Sequence, residues 1–83
     1  MSAFDAYNPE KVSAQNAIRD FETRFRYLEN EKNHLARFAV RLHNEAVAYY
    51  HCGFYAEAES KILYANSVAL KIERRNRIQN EID

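Results

Sequence analysis

Glycine, proline and cysteine occur once each in these 83 residues, and tryptophan not at all. A single glycine cannot build a P-loop or a dinucleotide cradle, which need several positions free of a Cβ. The lone Cys52 cannot close an intrachain disulfide, and with His34, His43 and His51 spread along the chain it does not converge on a zinc site. Long apolar runs are missing too. The longest stretch without a charged residue or histidine lies between Lys61 and Lys71, well below the ~20 residues of a spanning helix. The opening Met-Ser-Ala-Phe-Asp has neither the basic start nor the apolar run of a signal peptide. A reducing cytoplasm and no membrane partner are therefore expected. Charge of one sign is also lacking. Twelve basic residues balance twelve acidic ones, so no global field favours nucleic acid or an anionic surface.

The chain is nonetheless 47% hydrophobic and 29% charged, a composition that folds rather than staying disordered. So short a chain buries only about 60% of its unfolded surface. One domain is expected, with self-association supplying part of the core.

Pro9 and Gly53 punctuate the sequence. Residues 1–8 read as an extended lead-in, with Phe4 and Tyr7 available for packing. Asn8 is an N-cap, Pro9 takes the first helical position, and Glu10 opposes the helix dipole in the first turn. Apolar residues then fall at Ala14, Ile18, Phe21, Phe25, Leu28, Leu35, Ala39, Leu42, Ala46 and Tyr49, in steps of three and four interrupted only by Lys32. This heptad seam predicts one long helix over 9–51, roughly 64 Å in length. A turn at 52–54 follows around Gly53, and a second helix over 54–80 would span roughly 40 Å. Asp20–Arg24, Glu22–Arg26, Glu57–Lys61 and Glu73–Arg77 place an acid four residues before a base, each pair supporting a helix by about 0.2–0.5 kcal/mol. The fold class is all-α: an antiparallel hairpin with a long first helix, associating into a bundle. The alternative is a three-helix bundle broken near residues 30–33.

The mismatch in helix length leaves Ile18, Phe21 and Phe25 without a cover, which makes them the expected self-association stripe, a dimer being favoured. Residues 39–65, about a third of the chain, resemble one tetratricopeptide repeat through Ala48, Tyr49, Tyr50, Gly53, Tyr55, Ala58, Ile62 and Ala65, with Glu45 where that pattern carries Leu. The resemblance implies a close-packed hairpin and protein binding rather than chemistry.

Glu31 and His34 have the Glu-x-x-His spacing of di-iron bundles. A second motif and further inward carboxylates are missing, so no metal and no cofactor are expected. Arg37 and His43 are similar to the Arg-x4-6-His motif of HEPN-type ribonucleases, but Phe38 stands where a polar residue normally follows the Arg. Surface placement is preferred, and no enzyme activity is expected. The leading function is a non-catalytic helical interaction module, a small oligomeric adaptor, regulator or inhibitor. Tyr27, Phe38 and Tyr50 are the candidate partner anchors, with Arg37 and Arg41 as rim contacts. The second reading is a nucleic-acid-associated protein using Lys71, Arg74 and Arg75, which share one face of the last helix and suit an anion.

Overall fold

The computed structural model describes residues 8–82, with side chains described through residue 78. The expected lead-in, apart from Asn8, lies outside the described residues. Three α-helices form an all-α bundle: α1, Pro9–Phe25; α2, His34–His51; α3, Tyr55–Ile82. A 3-10 segment, Arg26–Asn30, joins α1 to α2.

Asn8 is extended (φ −132, ψ 107), and its side chain accepts hydrogen bonds from the backbone N–H of Glu10 at 3.0 Å and Lys11 at 3.2 Å. Proline next to it loses nothing, because the first helical N–H has no intrahelical partner.

The single long helix is not what forms. Phe25 leaves the helical region (φ −119, ψ 19), the 3-10 segment follows, and both Glu31 and Asn33 are extended with ψ 143. Asn33 restarts the helix: its Oδ1 accepts from Leu35 N–H at 2.7 Å, and its carbonyl accepts from Arg37 N–H at 3.0 Å. The three-helix alternative is the architecture. Folding back costs a few helical hydrogen bonds. In return Ile18, Phe21, Phe25 and Leu28 are buried by the chain's own α2 and α3, at 8%, 4%, 1% and 1% exposure. An intrachain cover carries none of the translational entropy cost of a partner. The stripe assigned to self-association is therefore core, and the mismatch that motivated that assignment is gone. The heptad phase runs through the break because both helices need apolar residues at three- and four-residue steps.

The α2–α3 turn is a Schellman motif. Phe54 N–H donates to the Tyr49 carbonyl at 2.9 Å and Gly53 N–H to the Tyr50 carbonyl at 3.1 Å, with Gly53 at φ 86. The motif's usual apolar contact is present as Tyr49 and Phe54, edge to face at 6.3 Å. Between α2 and α3 the contact is made by small residues: Ala36, Ala39 and Ala46 on one helix, Ala58, Ala65 and Ala69 on the other, all fully buried. Small side chains let the two axes approach closely. Phe38 meets Tyr64 edge-on at 5.5 Å and Glu45 pairs with Lys61 at 3.0 Å, which fixes the antiparallel register.

Helix α3 is the element on which the other two pack; α1 and α2 touch each other least. It also runs past the start of α2, and there its Glu73 accepts from Tyr27 of the 3-10 segment at 2.7 Å and lies 3.8 Å from Arg24 of α1. Among the described residues the ion pairs therefore run between helices: Arg24–Glu73, His43–Glu22 and Lys61–Glu45. None of the four pairs expected along a single helix is formed. Each would contribute only a few tenths of a kcal/mol, so a tertiary partner easily displaces it.

Candidate partner-binding groove

Because α1 and α2 pack on α3 more than on each other, a groove remains between them. Its wider part is a recess of 510 Å³ lined by Phe21, Phe25 and Val40, with Glu22, Thr23, Arg26, Glu29 and His43 around it. A smaller recess of 160 Å³ continues toward the hairpin turn, lined by Gln15, Ile18, Arg19, Glu22, Val47, Tyr50 and His51. Glu22 belongs to both, so the two are one feature. Along α1 it extends from Gln15 to Phe25, about 15 Å at helical rise, and continues beside the 3-10 segment as far as Glu29. Phe21, Phe25 and Ile18 lie at its bottom as buried core, so the apolar surface it offers comes from half-buried Val40, Val47 and Tyr50, and the rim carries both signs of charge from Arg19, Glu22, Arg26 and Glu29.

A bridge crosses the groove at its middle. His43 Nε2 lies 2.7 Å from Glu22 Oε2, its Nδ1 lies 3.1 Å from Asn44 Oδ1, and the imidazole stacks on Phe21 at 5.4 Å and 17°. A hydrolytic triad needs a hydroxyl within reach of the ring nitrogen opposite the acid. Asn44 occupies that side, and the His43–Glu22 contact ties α1 to α2.

Of the three sequence-predicted anchors, only Tyr50 lines the groove. It is half-buried and also meets the Tyr55 ring edge-on at 5.4 Å. Tyr27 and Phe38 are engaged elsewhere, by Glu73 and Tyr64. Partial burial, the hydrogen bond to Glu73 and the negative charge of Glu73 and Glu31 push the Tyr27 phenol up to about 12, against a smaller opposing effect of Arg24. Arg37 and Arg41 are exposed on the outer side of α2, away from the groove, and Lys71, Arg74 and Arg75 are exposed on α3. The structure does not bring the two cation sets into one site. Glu31 and His34 do not share a helix face, because the break falls between them. No group of three or more His, Cys, Asp or Glu converges among the described residues, nor is any helix there long and apolar enough to cross a membrane.

Another apolar recess, of 410 Å³, sits at the hairpin turn, lined by Ala48, Tyr49, Cys52 and Phe54 beside the Glu45–Lys61 pair. Tyr49 and Phe54 are already used there by the turn. Sequence reasoning missed His43, Glu22 and Val40 as groove residues. Their pairing depends on α1 folding back, and the only signal was their position beside the apolar seam. No family model, no curated protein and no solved structure matches this chain.

Proposed function

We propose that this protein is a non-catalytic recognition module that takes an amphipathic helix of a partner protein into the α1–α2 groove. The observation that carries this reading is the recess between α1 and α2, where half-buried Val40, Val47 and Tyr50 present apolar surface beneath a rim of mixed charge. A helix laid into such a groove anchors through residues spaced three and four apart, while its polar flank meets the rim. Two packed helices with an incompletely filled seam leave room for a further helical ridge. Binding on this reading is mainly apolar and weakens little with salt. A nucleic-acid reading, resting on Lys71, Arg74 and Arg75, requires steep salt dependence.

The test is quantitative capture of partners from a native extract by the wild-type chain and by two variants of unchanged helicity. Val40→Glu places a charge on the groove floor, and a triple Ala change at Lys71, Arg74 and Arg75 removes the cations of α3. The expected result is a set of proteins lost with Val40→Glu and retained with the triple change. Loss with the triple change alone would replace this reading with the nucleic-acid one.

A further inference from the structure

One face of α3, including Ile62, Ala65, Ala69 and Ile72, is buried against α1 and α2, and the opposite face is bare. On it Leu63, Tyr64 and Leu70 are 52%, 53% and 40% exposed. The pattern of that face is regular. Ala56, Leu63 and Leu70 recur at heptad spacing, and Ser60, Ser67 and Arg74 recur at the same spacing between them. That alternation of three- and four-residue steps is the spacing of a helix-pairing seam, sustained for about 27 Å.

We propose that a second copy of this chain covers this face, the two α3 helices running antiparallel about a two-fold axis at the level of Ala65. In that register Leu63 of each copy lies opposite Ser67 of the other, and Leu70 lies opposite Ser60. Each large side chain meets a small one, so the layers interdigitate without overpacking. The arrangement is isologous and closes at two chains. Charge complementarity selects the second copy and its direction. Glu57 and Lys71 flank the seam, and antiparallel pairing sets Glu57 of each copy beside Lys71 of the other, twice by symmetry. Parallel pairing would instead stack Arg74 on Arg74 and Ser67 on Ser67.

Both flanking charges are available for this role. Lys61, the helical neighbour of Glu57, is taken by Glu45 at 3.0 Å, and neither Glu57 nor Lys71 has an ion-pair partner among the described residues. The surface is separate from the α1–α2 groove and does not depend on the function proposed for it.

Two leucines and a tyrosine per copy make a small interface, so association belongs in the micromolar range. Sedimentation equilibrium of the full chain from about 1 to about 300 µM should therefore show the mass rising from one chain to two. Leu63→Glu should stay at one chain throughout with an unchanged circular dichroism spectrum, since the site is on the surface. Glu57→Lys and Lys71→Glu should each weaken dimerisation roughly tenfold, and their equimolar mixture should recover wild-type affinity because the exchanged charges again oppose. Val40→Glu should dimerise normally, which separates this interface from the groove. A wild-type chain that stays single at the highest concentration would overturn the proposal. So would a dimer that survives Leu63→Glu, a mixture no tighter than its components, or dimerisation abolished by Val40→Glu.

Discussion

Replacing Phe25 by Ala tests the folded-back architecture at its most sensitive point. Phe25 is the last residue of α1, 1% exposed, with the Phe21 ring at 5.3 Å and the Arg24 guanidinium 5.1 Å from its ring centroid. Truncating a buried phenylalanine removes its transfer free energy and leaves a cavity, for about 3–5 kcal/mol. At about 0.05–0.15 kcal/mol per residue, a chain of this length has roughly 4–12 kcal/mol in total. The substitution should thus remove about a quarter or more of the stability and lower the urea midpoint accordingly, with little change in the slope of the transition. The loss should be the same over a tenfold range of protein concentration, because the cover over Phe25 belongs to the same chain. Phe25→Leu, which keeps most of the volume, should cost less than about half as much. A loss below about 1 kcal/mol would refute the argument by showing Phe25 in water. A loss that disappears on dilution would place its cover on another molecule, as the continuous 9–51 helix required.

Gly53→Ala should cost about 1–2 kcal/mol, all of it conformational: the residue sits at φ +86, and an added Cβ meets nothing within 4 Å. Gly53→Asn should cost less, and equal thermal midpoints for glycine, asparagine and alanine would contradict the turn geometry. Ala58→Leu, at a fully buried alanine of α3, should lower stability by about 1–3 kcal/mol through overpacking. In a spectrophotometric titration one of the six tyrosines should ionise near 12, and Glu73→Gln should bring it back toward the ordinary 10.0. Since the Tyr27 pKa is raised on folding, its contribution to stability is complete below about pH 10 and is lost as pH rises through about 12, so Tyr27→Phe should remove that part of the alkaline loss.

What could be seen in the sequence was whatever neighbouring residues decide among themselves. Asn8 starts α1 by accepting hydrogen bonds from Glu10 and Lys11, Pro9 does so through its fixed φ, and Gly53 turns the chain because its own φ is positive. The break stood in the sequence only as the alternative near residues 30–33, and for a physical reason the pattern could not choose it. A three-four periodicity reports which side of a helix is apolar and is silent on whether the axis turns. Asn33 as a cap was visible only as one of several polar residues following Leu28, and its role depends on the burial of Phe25 and Leu28 against α3. The groove was hidden by the same omission. Ile18, Phe21 and Phe25 were legible as residues that need a cover, whereas the cover itself, and the gap it leaves beside Val40 and His43, exist only once α1 has folded back.

The bend at Glu31–Asn33 also sets the conditions for exchange between chains. Every contact that α1 makes with α2 and α3 could be made equally by α1 of a neighbouring molecule if the bend straightened, because the apolar seam keeps its phase across it. A closed chain and a domain-swapped pair would then share nearly the same contacts and differ in the entropy cost of pairing two chains and at the hinge: the Asn33 cap, worth about 1 kcal/mol, set against the helical hydrogen bonds that straightening restores. In such a balance the hinge residues and the dilution of the chains, rather than the core, hold α1 on its own chain, and substituting helix-forming residues for Glu31, Lys32 and Asn33 would favour the exchanged pair at high concentration.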